Sequence, residues 1–247
     1  MFNTLFRSLL LLVCAMSLMS FTVVIDAGHG GNDAGAIGLV KGVKEKDLNL
    51  NVAQRLATKI RQQCPEVKVV MTRDTDVFLP LQQRADIANK NHADLFISIH
   101  TNAAENRNAQ GAETFILGTD RMEDNLDVAM RENAVMKLED DQTVYQGFDP
   151  NSIESYIIFE LMQDHNMESS VKLAGLIQKQ FRTTAKRIDK GVHQAGFLVL
   201  RATSMPSVLV ELGYLNNPND AAFLTTTSGV NALAKSIYNA FVAYYKK

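Results

Sequence analysis

Strand and helix patterns alternate along the first part of this 247-residue chain. Three apolar runs, FTVVID (21–26), VKVVMT (67–72) and DLFISI (94–99), are typical of buried strands. Between them lie two helical patterns, from about Lys44 to Gln63, where apolar residues recur every four positions, and at 81–90. This βαβαβ order predicts an α/β fold with a twisted, mostly parallel central sheet flanked by helices.

The later part of the chain continues the pattern less regularly. Strands are predicted near 112–117, 197–200 and 207–212, and a C-terminal helix from about Gly229 to Tyr245. No internal repeat or low-complexity linker is present. One domain with an acidic helical insertion at 120–170 therefore fits better than two domains.

Composition excludes several classes of protein. Hydrophobic residues make up 46% of the chain, which is enough for a sizeable core and excludes a disordered or collagenous protein. The chain has 25 Lys and Arg against 27 Asp and Glu. A net charge of −2 argues against nucleic-acid binding, which requires a basic excess.

The near-neutral total is a cancellation between two parts of the chain. Residues 120–170 hold thirteen acidic and three basic residues, a net charge of −10. The rest of the chain after residue 20 has twenty-one basic and fourteen acidic residues, or +7. This division favours docking of the insertion on a basic body. The alternative is a solvated acidic face that shapes a groove.

The first twenty residues have the pattern of a secretory signal peptide, because Arg7 precedes an apolar run from Leu9 to Met16. We predict a signal peptide at 1–20, a mature domain at 21–247, and a location in the periplasm or outside the cell. A membrane anchor or a buried strand is the alternative, but the run is short for a membrane span. Loss of the leader removes Cys14 and leaves Cys64 unpaired.

Four polar residues lie where a strand ends or a helix begins. His29 follows the first strand in DAGHGG, His100 ends DLFISIH, and Glu211 lies near the end of SVLVEL. Glu45 is in the first turn of the first helix. Ligands of open α/β sheets bind beyond the carboxyl ends of the strands. Three of the four residues are therefore expected at that edge.

Glu45 lies on the helix stripe that faces the core, where a carboxylate is costly unless it is paired or bound to a cation. A partly exposed glutamate stabilised by the helix dipole is the alternative. Two imidazoles and one carboxylate, with a position left for water, are a ligand set of catalytic zinc. Glycines at 28, 30 and 31 permit unusual backbone conformations around His29. No compact motif such as HExxH is present, so ordinary hydrogen-bonded histidines remain an alternative.

Other polar residues are weaker candidates. Asn102 is close enough to His100 to reach a substrate, or it caps a loop. Asp26 is placed to hydrogen-bond a metal-binding histidine. Arg84 and Arg201 suit either substrate carboxylates or structural acids, and we favour a structural role for Arg84. Structural or solvent-facing roles are expected for the remaining histidines, His92, His165 and His193.

Four blocks of the sequence resemble, in order, the motifs of zinc-dependent N-acetylmuramoyl-L-alanine amidases of the bacterial cell-separation type. They are VVIDAGHGGNDAGAIG, KEKDLNLNVAQRLATKI, MTRDTDVFLPLQQRADIANKNHADLFISIHTNA and FLVLRATSMPSVLVELGYLNNPND. The resemblance implies that His29, Glu45 and His100 hold one Zn²⁺ per chain and that Glu211 is the catalytic carboxylate.

The resemblance also implies the substrate, peptidoglycan, and cleavage of the amide between the lactyl group of N-acetylmuramic acid and L-alanine of the stem peptide. Zinc lowers the pKa of its bound water to near 7, so that this water is the expected nucleophile. Glu211 would serve as general base and then general acid. The glycine loop matches neither GxGxxG nor a P-loop, so no nucleotide or further cofactor is expected. We expect a monomer.

In some amidases of this type an inserted helix covers the zinc cleft until an activator displaces it. Residues 120–170 occupy the corresponding place, with helical patterns near 124–138 and 152–163. The hypothesis is that one acid of this insertion shields the zinc until a partner protein moves it. The candidates are Glu132, Glu139, Asp140 and Asp141.

Two other functions remain open at this point. The first is a zinc carboxypeptidase or endopeptidase that cleaves peptide bonds of the wall, which the reaction products would distinguish. The second is a non-catalytic wall-binding module, which is disfavoured because all four chemical positions are filled.

Overall fold

A computed structural model describes residues 21–118, 123–157, 159 and 165–246, and within them six strands form one sheet. The predicted signal peptide lies outside the described residues. The strands are β1 (Thr22–Ala27), β2 (Lys68–Met71), β3 (Leu95–Asn102), β4 (Ala112–Leu117), β5 (Asp189–Ala195) and β6 (Ser207–Tyr214). Their order across the sheet is β2-β1-β3-β6-β4-β5.

The sheet is mostly parallel, as the alternating pattern predicts. β1 pairs in parallel with β2 and β3, β3 with β6, and β4 with β5. Only the β4–β6 pair is antiparallel among the described strands. The ends of β1, β3 and β6 that carry His29, His100 and Glu211 therefore lie at one edge.

Eight α-helices in the described residues complete a single α/β domain. They are α1 (Glu45–Gln63), α2 (Leu81–Lys90), α3 (Glu123–Asn133), α4 (Ile153–Tyr156), α5 (Met167–Thr183), α6 (Leu198–Arg201), α7 (Pro218–Leu224) and α8 (Thr227–Tyr245). Short 3-10 turns follow α3 at Ala134–Leu138 and Thr143–Tyr145. No helix in this part of the chain is long and apolar enough to cross a membrane.

Helices α1, α5 and α8 cover one face of the sheet. In α1 the apolar residues at four-residue spacing, Leu48, Val52, Leu56 and Ile60, are all buried. They belong to one core cluster with α5, α8 and the strands. Cys64, at the C-terminal end of α1, is a buried free thiol.

The insertion packs on the other face, together with α2 and α6. Val128, Ala129 and Tyr145 of the insertion share a second apolar cluster with Phe115 of β4 and Phe197 before α6. This contact is mainly hydrophobic. The apolar packing adds a hydrophobic contribution to the docking that the −10 and +7 charges favour.

Two parts of the sequence prediction differ from the structure. The strand predicted near 197–200 is wrong, because Leu198–Arg201 form α6. The side chain of Asn133 accepts a hydrogen bond from the backbone N–H of Leu198 and donates one to Gly196 O, which fixes the start of this short helix. Strand β5 (DKGVHQA) was not predicted, because it lacks the apolar run of a buried strand.

Candidate metal centre

Four buried side chains from separate parts of the chain converge at the carboxyl edge of the sheet. His29 follows β1, Glu45 begins α1, His100 lies in β3 and Glu132 lies in α3. One ligand atom from each lies within 4.8 Å of all the others. Glu45 Oε1 is 3.1 Å from His29 Nε2 and 3.2 Å from His100 Nδ1. Glu132 Oε2 is 3.0 Å from each of the same two nitrogens.

The donor atoms of this cluster suit a metal ion. His29 Nε2, His100 Nδ1 and Glu132 Oε2 are buried and make no hydrogen bond of good geometry, although they face one another at short distances. Unsatisfied buried polar atoms are costly, and a shared cation would satisfy all three. Imidazole and carboxylate are ligands of zinc. The residues present therefore fit the metal that the sequence predicts.

The carboxylates give the cluster a strongly negative electrostatic potential. Burial disfavours the charged form of His100, but the facing Glu132 carboxylate outweighs it and raises the pKa of His100 to about 10. Burial likewise opposes the charge on His29, yet Glu45 and Glu132 raise the pKa of His29 well above its usual value. The carboxylates therefore stabilise positive charge on both imidazoles. A divalent cation bound at the same position would be stabilised in the same way.

Glu45 is held by hydrogen bonds from two backbone N–H groups and one side-chain amide. Its Oε1 atom accepts hydrogen bonds from the backbone N–H of Thr101 at 2.9 Å and from Asn49 Nδ2 at 3.1 Å. Its Oε2 atom accepts from the backbone N–H of Ala36 at 2.8 Å. Burial would raise the pKa of Glu45, but the charge on His29 lowers it strongly, so the carboxylate is ionised.

Two buried arginines hold the loop that carries His29. Arg84 donates to Ala27 O at 2.8 Å and to His29 O at 3.0 Å, while Arg73 donates to Ala27 O at 2.8 Å and Gly28 O at 2.9 Å. These bonds satisfy three successive carbonyls in a loop where His29 has φ 62°, a conformation unusual for a residue with a side chain.

Two positions near His29, one before it and one after it, require glycine because candidate ligands lie very close to their backbone. A Cβ atom on Gly28 would lie 2.3 Å from His100 Nε2. A Cβ on Gly35 would lie 2.6 Å from Glu45 Oε2, and Gly35 also has φ +63°. Any side chain at these positions would displace the two candidate ligands.

Asp33 is a supporting residue that the sequence analysis missed. Its Oδ2 atom lies 2.7 Å from His29 Nδ1 and so leaves the Nε2 atom to face the cluster. The available signal was its position four residues after His29 in the glycine-rich loop. Asp26, expected to bond a metal-binding histidine, instead accepts hydrogen bonds from Arg84, Thr72 and Ser98. Arg84 is thus structural, as favoured from the sequence.

Glu211 lies beside the cluster on the neighbouring strand. It is directly opposite His100 in the parallel pairing of β3 and β6. The side chain is fully buried, and neither carboxylate oxygen has a hydrogen-bond partner. Burial, and then the charges of Glu132 and Glu45, raise the pKa of Glu211 well above its usual value. Such a carboxyl group holds a proton more readily than an exposed glutamate does, which is typical of catalytic acids and bases.

Among the four acids that the sequence hypothesis named, the structure places Glu132 at the cluster. Glu139 is buried elsewhere and accepts a hydrogen bond from the backbone N–H of Leu81. Asp141 caps the turn at Thr143, and Asp140 is exposed. Beside Glu132, Arg131 donates to Ala103 O and, at 2.7 Å, to Asn102 Oδ1.

The remaining candidates lie apart from the four-residue cluster. Arg201 stacks on Tyr145, and its guanidinium carbon is 5.8 Å from the ring centroid. His193 hydrogen-bonds Lys190 O at 2.9 Å, while His92 and His165 belong to turns. Asn102 is buried and donates to Glu113 Oε1 at 3.1 Å, besides accepting from Arg131.

Comparison with known proteins identifies the family of the chain. Residues 23–243 match the N-acetylmuramoyl-L-alanine amidase family. The chain is 33% identical to N-acetylmuramoyl-L-alanine amidase AmiA of Escherichia coli over 225 residues, which is 90% of this chain and 75% of the relative.

Solved structures show the same likeness. An N-acetylmuramoyl-L-alanine amidase from Clostridium difficile superposes with a TM-score of 0.70 at 28% identity, covering 92% of this chain and 98% of the other. The CwlD amidase of Clostridioides difficile, solved in complex with the GerS lipoprotein, gives a TM-score of 0.68 at 25% identity, with the same coverage.

Fold and comparisons together define the class as an amidase with an α/β fold, whose buried four-residue cluster could hold a metal ion. The chain belongs to the N-acetylmuramoyl-L-alanine amidase family.

Proposed function

We propose that this chain is a zinc-dependent enzyme that hydrolyses the amide between the lactyl group of N-acetylmuramic acid and L-alanine in peptidoglycan. The observation that carries the proposal is the convergence of His29 Nε2, His100 Nδ1 and Glu45 Oε1 on one buried point, with Glu211 on the next strand. His29, Glu45 and His100 would hold one Zn²⁺ per chain.

Zinc, when bound, supplies a Lewis acid that polarises the scissile carbonyl and acidifies water. Glu211 accepts the proton of the attacking water and delivers it to the leaving nitrogen. The carbon–nitrogen bond then breaks to give a carboxylate and an amine. The place of Glu211 supports this role, because its buried carboxyl group lies opposite His100 on the neighbouring strand and burial raises its pKa.

Other residues keep the reacting groups in place. The Asp33 carboxylate fixes the orientation of the His29 ring, and the arginines hold the backbone of its loop. Asn49 and the N–H of Thr101 fix Glu45. A preorganised set of this kind needs little rearrangement during the reaction.

The insertion is proposed to be autoinhibitory. Glu132 Oε2 lies 3.0 Å from His29 Nε2 and 3.0 Å from His100 Nδ1, and so would take the ligand position that a catalytic zinc leaves for water or substrate. Arg131 and the apolar contacts of Val128 and Ala129 keep α3 in this position. Activity would then require displacement of α3.

A partner protein is the proposed means of displacement. The complex of CwlD with the GerS lipoprotein supports this view, because it shows that an amidase of this fold binds a partner protein. The proposed location is the periplasm or the cell exterior, reached through the predicted leader at 1–20. We propose 21–247 as the mature, monomeric domain.

Mass spectrometry of muropeptides tests the reaction. Purified protein lacking residues 1–20 is incubated with sacculi in added zinc or in a chelator, with Glu132→Ala as a second sample. Free lactyl-muramic acid ends and intact stem peptides, formed only with zinc, are the expected products. Cleavage within the stem peptide would instead indicate a peptidase, and unchanged sacculi in every sample would contradict an enzymatic function.

A further inference from the structure

Lys46 occupies a position in helix α1 that both the helix dipole and burial disfavour. It lies in the first turn, directly after Glu45, where the positive end of the helix dipole opposes a cation. Its side chain is only 9% exposed, and burial of an ammonium group is costly unless the group is paired. A lysine placed against both preferences indicates a specific task for its charged group.

The ammonium group of Lys46 reaches the loop that carries His29. Its Nζ atom donates to Gly31 O at 2.8 Å and to Asp76 Oδ2 at 2.7 Å. The other carboxylate oxygen of Asp76 accepts a hydrogen bond from the backbone N–H of Gly31 at 2.8 Å. One ion pair therefore binds both backbone polar groups of Gly31. We call these three residues, Lys46, Asp76 and Gly31, the Gly31 clamp.

Gly31 lies at the tip of a tight turn beside His29. The N–H of Gly30 donates to Asp33 O at 2.9 Å, and the N–H of Asp33 donates to Gly30 O at 3.0 Å. These two hydrogen bonds close the base of the turn. The turn begins directly after His29 and ends at Asp33, whose carboxylate orients the His29 ring. A shift of Gly31 would therefore move the whole turn and reorient the Nε2 atom that faces the cluster.

A second bridge holds the backbone on the other side of His29. The Nη2 atom of Arg73 donates to Gly28 O at 2.9 Å and to Lys46 O at 2.8 Å. Arg73 and Asp76 both belong to the short segment that follows β2. This segment thus joins the loop that carries one candidate ligand to the first turn of α1, which carries another.

We propose that Lys46 and Asp76 are positioning residues, which fix the His29 turn relative to Glu45 and so set the distance between two candidate zinc ligands. Both act through Gly31, and neither side chain belongs to the four-residue cluster. The side chain of Asp76 is 50% exposed, and a partly exposed ion pair contributes little to folding stability. An effect on the metal can therefore be separated from an effect on folding. This inference rests on the proposed function and adds what holds its metal ligands in place.

Competition with a chelator measures the zinc affinity of the purified protein and its variants. We expect Asp76→Ala to weaken zinc binding roughly tenfold, as is typical when a group that orients metal ligands is lost. Asp76→Asn should weaken zinc binding less, because its amide oxygen still accepts from the N–H of Gly31 while the ion pair is lost. The double variant Lys46→Met with Asp76→Ala should bind zinc about as weakly as Asp76→Ala alone, because both residues act through Gly31.

The visible absorption spectrum of the protein loaded with Co²⁺ supplies a readout that a loss of stability alone would not move, because its bands depend on the arrangement of the ligands. We expect Asp76→Ala to shift these bands, while the urea midpoint of the metal-free protein changes little. Asp74→Ala, an exposed change two residues earlier, is the matched control and should alter neither zinc affinity nor the spectrum. Asp76→Asn takes the place of Asp76→Ala if the latter does not fold.

A zinc affinity or a Co²⁺ spectrum in Asp76→Ala equal to that of the parent protein would overturn the role of the clamp. Muropeptide analysis of the parent reports separately on the reaction. A parent that binds one zinc but leaves the amide intact would contradict the proposed function alone, whereas a parent that binds no zinc would contradict both.

Discussion

Glu132 Oε2 lies 3.0 Å from His100 Nδ1, although Glu132 belongs to the insertion and His100 to the central sheet. If this contact blocks the site, Glu132→Ala should raise the rate at which sacculi are hydrolysed without a partner protein by roughly tenfold. This factor corresponds to a loss of about 1.4 kcal/mol from the free energy that favours the closed form. Dye release from labelled sacculi measures the rate. Asp140→Ala, an exposed change in the same insertion, is the control. Unchanged or lower activity in a folded, zinc-loaded variant would contradict the autoinhibition hypothesis.

Arg131 is a second point of attachment for α3. It bonds Asn102 and Ala103, and the adjacent Glu132 faces the imidazoles, so both residues hold the same helix. We expect Arg131→Ala to raise basal activity severalfold. In the double variant with Glu132→Ala, the increase in activity should be smaller than the product of the two single increases, because both residues act on one opening step. Lys137→Ala serves as the control. Multiplicative effects would show that the two contacts act independently.

Arg84 is expected to couple folding to metal binding. Its guanidinium pairs with the buried Asp26 carboxylate at 2.9 Å and also bonds His29 O. Arg84→Ala leaves Asp26 uncompensated and should lower the free energy of unfolding by about 3 kcal/mol, as for other broken buried pairs. Urea denaturation measures this loss, and competition with a chelator measures zinc affinity. Weaker folding with unchanged zinc affinity would argue against a positioning role. Arg107→Ala, an exposed change in the loop after β3, should alter neither.

Asp33 orients the His29 ring through its bond to Nδ1. Asp33→Asn keeps the shape of the side chain but removes its charge. Loss of such a supporting carboxylate typically costs metal affinity about tenfold, which chelator competition would detect. The stability of the metal-free protein should change little. Equal zinc affinity in Asp33→Asn and in the exposed control Asp74→Asn would refute this role.

Glu211 should affect the reaction and not the metal. Glu211→Gln preserves size in a fully buried position but removes the group that exchanges protons. We expect kcat to fall by about 10² to 10⁴ while zinc stoichiometry stays at one per chain. Turnover of sacculi and metal analysis of the same sample provide both values, with Glu105→Gln as a control. Activity close to wild type would remove Glu211 from the mechanism.

Local patterns in the sequence determined much of the fold. Helix α1 and strand β3 follow from apolar spacing, which depends only on residues a few positions apart. The same patterns placed His29 and His100 at strand ends, and parallel strands bring such ends to one edge. This is why His29 and His100 could be predicted as neighbours from the sequence, while the helix stripe singled out Glu45.

Only the tertiary structure decided the rest, because the deciding contacts join residues far apart in the chain. Four acids of the insertion were equivalent in sequence, and the packing of Val128 and Ala129 on the sheet face selected Glu132. The apolar run at 197–200 suits a strand or a buried helix equally, until Asn133 bonds the N–H of Leu198. The sequence thus determined which side chains reach the edge of the sheet, while long-range packing determined which of them meet, since burial energy depends on the whole assembled core.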